Sequence, residues 1–437
     1  MVATTVDSKR KAWFGWCMYD WANSAFATVI LAAVLPVYFV ALVPPEGARI
    51  SFFGLTRTMP ASALWGYAVS CSMLAVALTA PYLGAYADKR GRRRLLLIGF
   101  ALTGATATSL LVFAGPGDYL LAALLFIVAN IGFAAGNIFY NAFLPALADG
   151  AELDRLSARG FALGYVGGGL MLLLAFVLIQ GYELFGFADR ATATRAGFFI
   201  TGLWWALFSL PTFRYVREAV FVHDPEPLPI GFKGYLQTFA HIRHYPDLLR
   251  FLLAFLFYND GIQTIIVVSA IFGREELGLS QGSIIGCFLM IQFVAMPGAL
   301  LFGRLAERYG AKRSVLLSLI LFILVTGYAY TMRQGWEFWV LGLVVALILG
   351  GSQAISRSLF AALVPPNKSA EFFGFYAISG KFASIFGPLI FALIADLTGS
   401  SRLAIPALAI FFLIGIALLS TVDVERGKLA AQGSAPS

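Results

Sequence analysis

Long apolar runs separated by short polar breaks dominate the chain. They fall at roughly 14–43, 60–86, 95–114, 118–147, 157–182, 195–215, 248–272, 280–303, 314–332, 335–363, 372–398 and 402–421, numbered spans 1 to 12 below. Most reach or exceed the roughly 20 residues a helix needs to cross hydrocarbon, and the longer ones predict tilted or protruding helices. Pro36, Pro81, Pro145, Pro297 and Pro388 lie inside these runs and mark expected bends. Span 7 breaks the apolar pattern with Asn259, Asp260 and Gln263. Asp260 lies about 18 Å along its helix at 1.5 Å per residue, near the middle of a core about 30 Å thick. A carboxylate there costs about 2.5–3.5 kcal/mol on insertion scales, so its face should meet protein or a water-filled cavity rather than lipid.

The pattern predicts an all-α polytopic membrane protein of twelve transmembrane helices. Residues 1–215 and 248–423 form two six-helix bundles, joined by a linker at 216–247. The linker's Asp224-Pro225-Glu226-Pro227-Leu228-Pro229 excludes helix. Beyond it Phe232, Leu236, Phe239 and Ile242 recur at helical spacing, which predicts an amphipathic helix at the interface. His223, His241 and His244 all fall in this stretch and read as a solvated or headgroup-facing surface, not a metal site. The polar tail 424–437 reads as disordered.

Composition agrees: 59% of residues are hydrophobic and only 12% charged, about half the charge of a soluble domain. The cysteines Cys17, Cys71 and Cys287 lie inside apolar runs, so no disulfide framework is expected. The apolar run after Lys9-Arg10-Lys11 is too long for a cleavable leader. The net charge of +8 concentrates in the N-terminus and the loops after even-numbered spans, which predicts cytoplasmic termini rather than a nucleic-acid site.

Two loops repeat. Gly84, Asp88, Lys89, Gly91, Arg92 and Arg93 follow span 2; Gly303, Glu307, Arg308 and Gly310 follow span 8 with the same spacing of glycine, acid, base and glycine. Phe143-Leu144-Pro145 and Leu363-Val364-Pro365 echo each other at the ends of spans 4 and 10. Repeated halves with a site between them characterise transporters. A short turn needs glycine, and the basic residues would hold it at anionic headgroups.

The first loop resembles the signature G-x-x-x-D-[RK]-x-G-[RK]-[RK] of the major facilitator superfamily, and the second is a degenerate copy. Tyr19-Asp20-Trp21-Ala22-Asn23-Ser24, Tyr258-Asn259-Asp260-Gly261-Ile262-Gln263 and Gly351-Ser352-Gln353-Ala354-Ile355-Ser356-Arg357-Ser358 resemble its vacuole-effluxer-like branch, named for an autophagy-related amino-acid effluxer. The resemblance runs from Lys11 to Asp423. It implies that Asp88 stabilises the start of span 11 near Glu371, which would itself oppose the acid, and that Glu307 plays the equivalent part at span 5 near Arg159. It further implies that spans 1, 4, 7 and 10 line a central cavity in a bacterial inner (plasma) membrane. The arginine that many members carry on span 4 is replaced here by asparagines.

The polar residues follow that arrangement. Span 1 offers Asp20 and Asn23; span 4 offers Asn130, Asn137 and Asn141, close to one line at 100° per residue. Span 7 offers Asn259, Asp260 and Gln263, and span 10 offers Gln353 and Arg357. Lys381 is a cation within span 11. Asp20, Asp260 and Lys381 unpaired would cost roughly 8–10 kcal/mol. They read either as a structural ion pair or as a cavity for a small zwitterion with proton exchange through Asp260 or Asp20. Gly160, Gly164 and Gly168 on span 5 permit close helix approach.

The function predicted is a secondary transporter of a small polar solute, such as an amino acid, by alternating access with protons as coupling ion. The alternatives are a membrane sensor, which would normally add a signalling domain, and a membrane enzyme, which would need a catalytic constellation. The partners expected are the solute, protons and the lipid bilayer, with a monomer sufficing and neither cofactor nor metal called for.

Overall fold

The computed structural model describes residues 6–52, 55–218, 241–382, 386–398 and 401–433. Among these, ten helices are long and apolar enough to cross a membrane, and the bent pair Val6–Ala33 with Leu35–Leu42 makes an eleventh. Spans 2 to 6 are the helices Ala61–Arg90, Arg93–Leu110, Tyr119–Ala142, Gly150–Gln180 and Arg190–Tyr215. Spans 7 to 10 are Pro246–Glu275, Gln281–Tyr309, Ala311–Thr331 and Gly335–Leu363. Span 11 is described as Ser369–Phe382 and Phe386–Thr398, and span 12 reaches Ser420 through Leu408–Ser420.

Span 1 begins at Val6, earlier than the apolar pattern shows, because a charged helical turn precedes the hydrophobic stretch. It widens into a π-helix over Phe26–Ala33 and bends by 45° into Leu35–Leu42, with Pro36 in the first turn of the second piece. The polar break after it holds an antiparallel hairpin, Ala48–Phe52 with Leu55–Met59. The strands are too short for periodicity to distinguish them from a loop. The Tyr119 hydroxyl ties the hairpin down, donating to Arg49 O at 3.1 Å and accepting from Arg49 N at 3.0 Å.

The chain forms two compact units. Unit 1 holds Met1–Thr79, Arg92–Tyr140 and Gly164–Glu218; unit 2 holds Ala80–Gly91, Asn141–Leu163 and Ala219–Ser437. The ends of spans 2, 4 and 5 therefore belong with the C-terminal half of the sequence. Side-chain bonds to spans 8, 10 and 11, which no local pattern encodes, hold them there. Unit 1 packs around Phe26, Phe39, Phe126, Phe198 and Trp205; unit 2 has a core around Phe272, Phe338 and Leu408 and a close alanine contact of Ala158 and Ala162 with Ala299 and Ala354.

One further expectation falls outside the described residues, and another changes. The amphipathic linker helix falls largely on residues 219–240, outside the described set, and span 7 starts at Pro246. The tail, expected to be disordered, forms a helix over Val424–Ala431. Asp423 caps it, accepting from Arg426 N at 3.0 Å, and the Arg426 guanidinium grips Asp247 at 2.6 and 2.7 Å. Gly427 lies against Leu363 with no room for a side chain. A polar sequence is ordered here by a bidentate ion pair to a buried acid, which composition does not reveal. The ion pair also raises the pKa of Arg426. Asp247→Ala should free this helix, read as faster chymotryptic cleavage after Leu429 in the purified protein.

Candidate functional site

In unit 1, the intervals that place Asp20 and Asn23 on one face of span 1 turn both toward span 4. Asp20 and Asn23 are buried, and the Tyr140 hydroxyl donates to Asp20 Oδ2 at 2.8 Å. Tyr140 is fixed in turn: its ring stacks on Trp16 at 4.5 Å, and its carbonyl accepts from Trp16 Nε1 at 3.0 Å. Asn23 Nδ2 donates to Asn137 Oδ1 at 2.8 Å. Span 5 comes close because Gly164, Gly167 and Gly168 present no side chain; a Cβ on Gly167 would strike Trp21 O, and one on Gly164 would lie 2.8 Å from Ser24 Oγ.

The line of asparagines on span 4 does not act as a unit. Asn130 Nδ2 donates to Ser72 Oγ on span 2 at 2.8 Å, Asn137 meets span 1, and Asn141 belongs to unit 2. There Arg357, 3% exposed, donates from Nη1 to Asn141 Oδ1 at 3.4 Å. Its Nε donates to Ser157 Oγ and its Nη2 to Ser157 O, both at 2.9 Å, and its guanidinium lies 4.1 Å from the Phe161 ring centroid. The Ser157 hydroxyl in turn donates to Ala354 O at 2.6 Å. One turn away the Ser358 hydroxyl donates to the buried Asp154 carboxylate. The sequence placed Arg357 on a cavity wall; its hydrogen bonds join span 10 to the start of span 5 and the end of span 4.

On span 7, Tyr258 donates to Ser356 Oγ of span 10 at 2.8 Å. Asn259 and Asp260 turn to span 11: Asn259 Nδ2 donates to Gly380 O at 3.3 Å, and Gly387 N donates to Asp260 Oδ1 at 2.9 Å. Gln263 and Gln353 are partly buried on their spans. Lys381 lies in the helix Ser369–Phe382, and its side chain falls outside the described set. Tyr140, Ser157, Tyr258 and Ser356 were not singled out in the sequence. Tyr258 had a signal, since it precedes the polar pair Asn259-Asp260; single serines in apolar helices do not stand out.

The loop residues also find partners in unit 2. Asp88 accepts from Ala370 N at 3.1 Å and Glu371 N at 2.9 Å, satisfying amides at the start of span 11 where the helix dipole favours an anion. Gly84 permits this, because a Cβ there would strike Ala370 O. The Glu371 carboxylate, which would oppose Asp88, lies 3.2 Å from His241 Nδ1, so that histidine is not a plain solvated group. Glu307 takes Arg155 in a bidentate pair at 2.8 and 2.9 Å, one turn before the Arg159 expected. Gly303 abuts Ala158, and Gly91 and Gly310 turn with φ of 59° and 90°. Arg308 lies over the Tyr309 ring, while Lys89 is partly exposed and Arg92 exposed. Arg93 departs from the headgroup position: it is 1% exposed, and in unit 1 its amide, with that of Arg94, donates to Glu218 at 3.3 and 2.8 Å.

A profile described as "Vacuole effluxer Atg22 like" matches residues 8–154 and 149–432. The chain belongs to that family. It is 38% identical over 420 residues to an uncharacterized MFS-type transporter, YxiO, of Bacillus subtilis, covering 95% of this chain and 96% of that one. It is 26% identical to autophagy-related protein 22 of Coccidioides immitis, over 98% of this chain and 89% of the relative. The fold is that of major facilitator transporters. The human organic anion transporter MFSD10 superposes with a TM-score of 0.73 at 16% identity, over 94% of this chain and 98% of that one. The FucP transporter in its outward conformation does so with 0.68 at 12% identity, over 95% and 99%. This member of the effluxer family is thus a multi-pass secondary transporter of the major facilitator superfamily, not an enzyme.

Proposed function

We propose that the protein moves a small zwitterionic solute, an amino acid in the first instance, by alternating access coupled to protons. It would do so as a monomer in a bacterial inner membrane with both termini cytoplasmic, an orientation its basic loops support. The observation that carries the reading is the buried Asp20 carboxylate of span 1, whose Oδ2 accepts from the Tyr140 hydroxyl at 2.8 Å. A phenol can donate to a carboxylate or accept from a carboxylic acid, so Tyr140 can partner Asp20 in either protonation state. A backbone N–H, the partner of Asp260, can only donate. A proton arriving on Asp260 finds no acceptor in that partner, so Asp20 is the first candidate for proton carrier. The effluxer name borne by the family's description favours a metabolite as cargo.

Counterflow of radiolabelled L-amino acids in proteoliposomes tests the solute class. Asp20→Asn should keep counterflow within about threefold, because the hydrogen bond from Tyr140 survives, and lose accumulation driven by a pH gradient. Undiminished pH-driven accumulation in Asp20→Asn rules out Asp20 as the carrier.

A further inference from the structure

Span 7 commits two consecutive polar side chains to the backbone of span 11. Asn259 offers a donor to the Gly380 carbonyl, and Asp260 offers an acceptor to the Gly387 amide. Gly380 and Gly387 lie on the two described pieces of span 11, Ser369–Phe382 and Phe386–Thr398. The amide donor of Asn259 and the carboxylate acceptor of Asp260 thus hold span 11 at two backbone positions. Asn259 and Asp260 are 6% and 2% exposed, at a depth where water does not compete.

The glycine is part of the same arrangement. A Cβ on Gly387 would strike Thr264 Oγ1 and come within 2.8 Å of Asp260 Oδ1. Thr264 cannot swing aside freely, because its hydroxyl donates to Asp260 O at 2.6 Å. Only glycine lets this turn of span 11 come within hydrogen-bond reach of the acid.

We infer that Asp260 is a positioning residue for transport: its carboxylate holds the Gly387 amide of span 11 against span 7, and so sets how these two spans meet. It contributes an acceptor, not a titrating proton. Asparagine separates these roles, since its side-chain oxygen accepts the same N–H, as at ordinary helix caps, without a titratable group.

The test uses full-length protein, with thermal melts and size exclusion to verify folding. Hydrogen–deuterium exchange is followed in peptides covering 386–398, alongside counterflow and its pH profile with a labelled L-amino-acid mixture. Asp260→Ala should speed exchange of the amides at and just after Gly387 about tenfold, whereas Asp260→Asn leaves them within about twofold of the unmodified protein. Asp260→Asn should also keep counterflow and the shape of its pH profile. Gly387→Ala, with its carboxylate intact, should lose about tenfold in counterflow, a loss that a pure proton carrier would not share. Asp260→Asn matching Asp260→Ala in exchange, or losing the pH dependence, overturns the inference, as does full activity in Gly387→Ala. If the unmodified protein carries no amino acid, the solute reading fails, while the exchange measurements still decide the role of Asp260.

Discussion

Arg357→Ala should destabilise the protein by about 3–5 kcal/mol, the range for removing one partner from a buried charged network. The guanidinium is almost fully enclosed and joins Ser157, Asn141 and the face of Phe161. Its loss takes a donor from Ser157 Oγ and from Asn141 Oδ1 and leaves a void beside the ring. Each stranded acceptor costs about 1–3 kcal/mol where water cannot replace the donor. The melting temperature in detergent should fall by roughly 10 °C, and counterflow should drop with it. Arg357→Lys should recover part of the stability. An ammonium keeps the charge but cannot reproduce a planar fork that meets Ser157 twice and Asn141 once. A Lys variant equal to the unmodified protein would mean that charge alone matters at this position.

Gly350→Val should prevent accumulation of folded protein. Spans 8 and 10 touch backbone to backbone: a Cβ on Gly350 would strike Ala295 O and lie 3.0 Å from Ala295 C, and one on Gly298 would strike Leu347 O. These obstacles are main-chain atoms that cannot rotate away, so the helices must separate along their contact. Overpacking costs about 1–3 kcal/mol where side chains can adjust and more where they cannot. Fluorescence-detected size exclusion should show loss of the monodisperse peak. Gly99→Ala is the control: nothing lies within 4 Å of its Cβ position. It should be neutral or gain up to about 1 kcal/mol from helix propensity. Normal behaviour of Gly350→Val would contradict the close packing of spans 8 and 10.

The spans were legible because hydrocarbon thickness imposes length and apolarity on each helix independently of its neighbours. Spans 2 to 10 are therefore met within a few residues at most ends. Loop glycines were equally plain, because tight turns require them locally. The same independence hid the tail helix: its order comes from Arg426 meeting Asp247, 179 residues away in sequence. It also hid the hairpin, whose strands are only five residues each.

By itself, the sequence determined the class of protein, the family, the span positions and the identity of the costly polar residues. All of these rest on local composition, spacing or motif. Only the tertiary structure decided what each polar residue does. Asp20 went to a tyrosine, Asp260 to a glycine amide, Arg357 to a serine and an asparagine, and Glu307 to Arg155 rather than Arg159. The physical reason is that the penalty for burying a polar group depends on the residue and its depth, whereas relief depends on which donor or acceptor another helix brings within about 3 Å.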